Sequence, residues 1–293
     1  MARTLPRHVR RDSTRTSQSC DVSLDTSWTF APVVLIALAG YGVVYGLRWR
    51  TSRREGGARA ASGWRAAAFA GGLTCLFIAL ISPIDVLGTQ MASFHMIQHL
   101  FIADLAAILL TLGLTKHILR PATRRIHWLE RKAGPFGHPA FGVVAYVGAM
   151  WLWHIPYFYD GALENDYVHS LEHLTFAAAG LLYWWHLLSP IRSRMRLGGM
   201  GPVLYMASTK LLVGLLGILL AFSPELIYDG YGTTGTKLGL TPLDDLHVAG
   251  LIMALEQSMV MGIALVYLFV RMLSEADRED ERAERYEEAA SAS

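Results

Sequence analysis

Seven apolar runs constrain this chain more than any other feature, because each is long enough to cross a hydrocarbon core that takes about 20 helical residues. They extend from Trp28 to Leu47, Trp64 to Ser82, Met91 to Thr115, Pro139 to Pro156, Tyr167 to Leu188, Pro202 to Phe222 and His247 to Val270. The hydrocarbon core holds no water to satisfy peptide groups, so runs this long and this poor in alternation must be helices; barrel strands would be half as long and would alternate strictly. With 53% hydrophobic and 17% charged residues in 293, the chain is too apolar for most soluble enzyme folds. The expected fold is all-α, a polytopic seven-transmembrane-helix bundle set in a lipid bilayer.

Lys and Arg in the short connections set the expected orientation. Arg48, Arg50, Arg53, Arg54, Arg59 and Arg65 surround the first loop, and Lys116, Arg120, Arg124, Arg125, Arg131 and Lys132 fill the third. Arg192, Arg194 and Arg196 lie in the fifth, and Arg278, Arg282 and Arg285 in the C-terminal tail. The second and fourth loops have none, and the sixth has only Lys237. The odd loops and the C-terminus are therefore expected in the cytoplasm and the N-terminus outside. Five Arg between Arg3 and Arg15 run against this count, but more than ten residues separate them from the first span.

Three regions follow: a basic tail over 1–27, the transmembrane domain over 28–272 and a charged cytoplasmic tail over 273–293. The first tail, rich in Arg, Ser and Thr, is expected to be disordered. No apolar stretch follows Arg10 and Arg11 within signal-peptide distance, so it is not expected to be cleaved. The last region alternates Asp, Glu and Arg with Ala and reads as a solvated helix or tail. Two cysteines, Cys20 and Cys75, exclude a disulfide framework and any Cys-rich zinc or iron–sulfur site. A net charge of +2 gives no reason to expect nucleic acid as a partner. Gly214 and Gly217 read as points of close helix packing.

The histidines are sorted by side. His95 and His99 lie one turn apart near the start of the third run, His154 closes the fourth, His169 and His173 repeat the one-turn spacing in the fifth, and His247 opens the seventh. All six fall in the outer part of the membrane. Residues four apart on a helix have Cβ atoms about 5–6 Å apart on one face, so each pair can aim two imidazoles at a common centre. Imidazole suits copper, zinc and iron, and thioether biases a site towards Cu(I). Met91, Met96, Met150 and Met253 sit at comparable depth, Met96 between the paired His. Glu172 and Gln98 each precede a His and could be ligands, outer partners that fix a ring tautomer, or neighbours on other faces. Read singly, each of these His is an interfacial anchor, and the Met set is packing. Deeper in the runs stand Asp104, Lys210 and Glu256, where a charge costs about 2.5–3.5 kcal/mol and must be paired or neutralised. An Asp104 to Lys210 ion pair is one reading; a polar path that includes Glu256 is the other.

The strings HMIQHL, WLWHIPYFYDGAL, HSLEHLTF with YWW after it, and TPLDDLHVAGLIM together resemble the bacterial CtaG-type family of caa-type cytochrome c oxidase assembly factors. The resemblance covers about Trp64 to Val270. It implies a multi-pass protein of the bacterial plasma membrane that is not an enzyme, takes apo-cytochrome c oxidase subunits as partners and inserts copper as its task. It carries a His role to His95, His99, His154, His169 and His173, with Glu172 as their acidic neighbour. Copper as Cu(I) is the expected cargo and zinc the alternative. A seven-span zinc hydrolase with Glu172 activating water, a single b-type haem carrier and a metal- or proton-coupled permease are the competing functions. A homo-oligomer is compatible with all of them.

Overall fold

The computed structural model describes residues 23–191, 197–232 and 236–291. Among them the chain is helical, and its one β feature is an isolated bridge between Lys237 and Leu240. Eleven α-helices follow in order: α1 Pro32–Ala60, α2 Gly63–Ile81, α3 Pro83–Gly88, α4 Ala92–His99, α5 Ala107–Gly113, α6 Lys116–Ala133, α7 Pro139–Trp153, α8 Pro156–Glu164, α9 Asp166–Leu188, α10 Gly201–Ala221 and α11 Pro242–Ser291. A π-helical stretch, Leu100–Ala106, joins α4 to α5 and makes Ala92–Gly113 one span of 22 residues.

Among the described residues five helices are long and apolar enough to cross a membrane: α1, α2, the Ala92–Gly113 span, α10 and Pro242–Val270 of α11. Six result if α7 and α8, bent by 73° at His154 and Ile155, form one crossing. The expectation of seven is met only this far, for two physical reasons. Helix α7 is 15 residues long, short of the roughly 20 that a bilayer needs. Helix α9 has the length, 23 residues, but its first turns hold His169, Glu172 and His173, which lower its hydropathy. The apolar side chains that stay exposed, such as Val33 and Ile36 on α1, Leu211 and Leu215 on α10 and Ile263 and Val266 on α11, belong on a lipid-facing surface.

Several boundaries move. The first run does not stop at Leu47: α1 continues through the basic stretch to Ala60, with a break at Gly57, whose φ is 63°. The third loop is no loop but α6, whose Thr115 cap accepts from the Ile118 amide at 3.1 Å. One face of α6 is basic, the other carries Ile118, Trp128 and Leu129, and the Lys132 ammonium sits 4.8 Å over the Trp128 ring; this is the pattern of a helix lying in a membrane interface. Arg65 donates to the carbonyls of Leu112 and Leu114 at 2.8 and 2.7 Å, closing the C-terminus of α5. Helix α11 begins at Pro242, five residues before His247, and carries the acidic tail as helix to Ser291.

Residues 1–22, which include most of the expected disordered tail and Cys20, lie outside the described residues, as do Arg192, Arg194 and Arg196. The end of the tail is tied down: the Asp25 amide donates to Gln90 Oε1 and Gln90 Nε2 donates to the Asp25 carbonyl, both at 2.9 Å.

Small residues bring helices together where the bundle is tightest. A Cβ on Gly217 would stand 3.0 Å from the Ala254 amide nitrogen, so α10 and α11 approach backbone to backbone there. Gly214, by contrast, faces open space, and the expected packing role falls to Gly217 and Gly250. A Cβ on Gly180 would overlap the Ala103 carbonyl, which seats α9 directly on the π-helical stretch.

Candidate metal centre

The centre is assembled from α4 and α9. Helix α4 has no side-chain cap of its own at Met91; Asp245, from the first turn of α11, supplies one. Its carboxylate accepts from the Ala92 amide at 2.6 Å, the Ser93 amide at 3.3 Å and the Ser93 hydroxyl at 2.5 Å. A carboxylate at a helix N-terminus satisfies orphan N–H groups and complements the helix dipole. The start of α9 is fixed locally by Asn165, which accepts from the amides of Tyr167 and Val168 at 2.9 and 3.4 Å. Two capped helices therefore present their first turns to each other.

Between them the one-turn His pairs converge as the spacing implies. Ring centroids are 4.2 Å apart for His95 and His99, 4.2 Å for His169 and His173, 5.6 Å for His95 and His169 and 6.0 Å for His99 and His173. Glu172 occupies the middle with no solvent exposure. Its Oε1 lies 3.4 Å from His95 Nε2 and 3.5 Å from His99 Nε2. Metal–ligand bonds of about 2.0–2.1 Å at tetrahedral angles hold neighbouring ligand atoms roughly 3.4 Å apart, so this spacing is that of a coordination edge. Two ligand triads, His95/His99/Glu172 and His169/Glu172/His173, each have their donor atoms within 4.8 Å of one another.

The polar atoms here are left open. Among the described residues, His95 Nδ1, both nitrogens of His99, His169 Nε2, His173 Nε2 and Glu172 Oε2 are buried with no hydrogen-bond partner. Buried polar atoms are nearly always satisfied, and a buried charge is paired or ligates a metal. Four imidazoles with vacant donor atoms around one carboxylate fit a cation, and imidazole with carboxylate is a donor set used for zinc and copper.

Three tyrosines roof the cluster. Tyr159 of α8 packs 4.9 Å from the His95 ring and stacks on Tyr228 at 3.7 Å. Its hydroxyl bonds that of Tyr231 at 2.8 Å, Tyr231 donates to the Gly88 carbonyl at 3.1 Å, and Tyr228 donates to the His154 carbonyl at 3.2 Å. The bend at His154 turns α8 across the top of the bundle and places this roof.

The remaining sequence candidates separate from the centre. His154 and Met96 form a pair at its edge, with His154 Nε2 3.4 Å from Met96 Sδ. His247 is not a member: its Nε2 bonds the Ser223 carbonyl at 2.9 Å, because α11 starts a turn earlier than the apolar run suggests and His247 turns towards the end of α10. Gln98 also leaves the site, donating to the Ala79 carbonyl and Asp85 at 2.8 and 2.7 Å.

Deeper down, Asp104 and Lys210 do not form the ion pair that was one of the two readings of these residues. Asp104 accepts from the Tyr146 hydroxyl at 2.6 Å and the Trp184 indole at 2.9 Å, and Lys210 donates to the Ser258 hydroxyl at 2.6 Å. Asp104 and Glu256 instead line the floor of a narrow cavity whose upper wall includes His99, His154 and Met96. The π-helical stretch explains the alignment: its i→i+5 bonding puts residues five apart, His99 and Asp104, on one face. Sequence reasoning found the two His pairs and Glu172 that converge here and missed Asp245, the tyrosine roof and this cavity. The signal for Asp245 was the TPLDDL string at the start of α11.

A family model described as cytochrome c oxidase caa3 assembly factor (Caa3_CtaG) matches residues 43–275. The chain belongs to that family. Cytochrome c oxidase assembly is thus its class of role, and the matched region of this caa3 assembly factor contains both His pairs, Glu172, His154 and Asp245. Searches among curated proteins and among solved structures returned no match.

Proposed function

We propose that the chain takes up copper as Cu(I) at the outer face of the bacterial plasma membrane and passes it to an apo-cytochrome c oxidase subunit during assembly. The observation that carries this reading is Glu172, fully enclosed and ringed by four imidazoles, each of which has at least one buried nitrogen without a hydrogen-bond partner among the described residues. In a membrane interior such a carboxylate costs several kcal/mol unless a cation compensates it. The ligands are His95, His99, His169, His173 and Glu172, and the metal is cargo rather than a reactant, so the protein acts as a chaperone and not as an enzyme.

The topology proposed with it has seven crossings, α9 being the crossing that its own metal ligands make polar. The N-terminus is outside and the C-terminus cytoplasmic, so the basic end of α1 and the amphipathic α6 share the inner surface and the His pairs the outer. Several imidazoles around one carboxylate can exchange as ligands, which suits transfer better than storage.

The central carboxylate is a hard ligand and favours a second reading, zinc as the bound ion. Metal content of the purified protein separates the two. The functional test is complementation of a strain lacking this protein with a His99→Ala/His173→Ala double variant. The account expects oxidase that is assembled without its full copper content; copper-replete oxidase in that strain would overturn it.

A further inference from the structure

His154 and Met96 meet in a way that the single N–H of a neutral ring does not explain. His154 Nδ1 lies 2.6 Å from the Met150 carbonyl. A carbonyl only accepts, so the ring N–H is on Nδ1, and in the neutral ring Nε2 carries a lone pair. That lone pair faces Met96 Sδ, also an acceptor, at 3.4 Å. In that neutral ring two lone-pair atoms, both in buried residues, are held in contact with no hydrogen between them. A backbone carbonyl that fixes the ring through its far nitrogen is the usual outer partner of a metal-ligating His.

We infer that Met96 and His154 form a second, softer copper position beside the Glu172 centre, holding Cu(I) through thioether sulfur and imidazole nitrogen. The surroundings support it. The cavity on which both open is also lined by Met150, Met253 and His99, a thioether-rich set of the kind that selects Cu(I) over zinc. His99 borders both positions: its Nε2 lies 3.5 Å from Glu172 Oε1, and neither of its nitrogens has a hydrogen-bond partner among the described residues. It can therefore serve one ion or the other, which gives the cargo a step between a hard and a soft site by exchange of one ligand. The inference rests on the copper reading and adds to it an order of preference, with Cu(I) accepted at both positions and zinc only at Glu172.

The test uses the full chain in detergent, loaded anaerobically with Cu(I) or separately with Zn(II), and compared with Met96→Leu, a volume-conserving change that leaves the packing intact. Two Cu(I) and one Zn(II) per chain are expected for the unaltered protein, with a sulfur scatterer in the copper X-ray absorption spectrum. Met96→Leu is expected to fall to one Cu(I), lose the sulfur and keep its zinc. One Cu(I) with a shell of nitrogen and oxygen alone in the unaltered protein, or a sulfur signal unchanged by Met96→Leu, overturns the second position and leaves the first standing. Failure of the unaltered protein to bind Cu(I) at all overturns both. The spectrum of the unaltered protein decides the matter even if the variant folds poorly.

Discussion

Replacing Asp245 tests whether the metal centre depends on a helix cap supplied from 153 residues away. Asp245→Ala removes a buried, charged acceptor and strands the Ala92 amide, the Ser93 amide and the Ser93 hydroxyl at the start of α4. Each buried donor left without a partner costs about 1–3 kcal/mol. The Ser93 hydroxyl can rotate to another acceptor and the weaker 3.3 Å bond contributes least, so a net loss of about 2–4 kcal/mol is expected. Asp245→Asn, which keeps one acceptor oxygen and the shape, should lose about 1 kcal/mol. Chemical unfolding in mild detergent gives the stability, and titration with zinc gives the affinity of the Glu172 centre. Because the cap sets the position of the turn that holds His95, Asp245→Ala should also weaken metal binding at least tenfold in protein that remains folded. An Asp245→Ala variant within about 0.5 kcal/mol of the parent, or one with unchanged affinity, would refute the reasoning.

Other substitutions separate alternatives that the sequence left open. Asp104→Leu removes the buried acceptor of the Tyr146 hydroxyl and the Trp184 indole and should cost about 2–4 kcal/mol, whereas Lys210→Met should cost less than about 1 kcal/mol; equal losses on unfolding would restore the ion-pair reading. Gly180→Ala forces α9 off the Ala103 carbonyl, so a loss of about 1–3 kcal/mol is expected, with weaker zinc binding because both ligand-bearing helices shift. Tyr159→Phe keeps the stack on Tyr228 and removes one hydroxyl bond, so stability should fall by about 1 kcal/mol while metal stoichiometry stays the same; loss of the ion would make the Tyr159 hydroxyl a ligand.

The candidate ligands were legible because they follow local rules. His95 with His99 and His169 with His173 are one helical turn apart, and Glu172 shares their end of α9, so a 3.6-residue period places them without knowledge of the fold. What stayed hidden depends on which helices adjoin. Asp245 and Ala92 meet only because α11 packs on α4, and nothing local in either segment announces it. The wrong reading of His247 came from placing the helix start at the first strongly apolar residue, when Pro242 and the Thr241 cap begin it earlier. The Asp104 to Lys210 pair, one of the two readings that charge alone allowed, does not form because buried aromatic donors satisfy the carboxylate. Two of the seven runs do not show a crossing by length and hydropathy: α7 breaks at His154 to build the roof, and α9 carries His169, Glu172 and His173 where a plain span would be apolar.

Metal analysis of the purified protein beside its His99→Ala/His173→Ala variant tests the central claim most directly. The account predicts that the unaltered chain retains a bound copper or zinc ion through dialysis and that the variant, folded by its far-ultraviolet circular dichroism and its elution as a single species, retains none at the Glu172 centre. Equal metal content in the two proteins would contradict it, since the four imidazoles and the enclosed carboxylate would then have no ion in common.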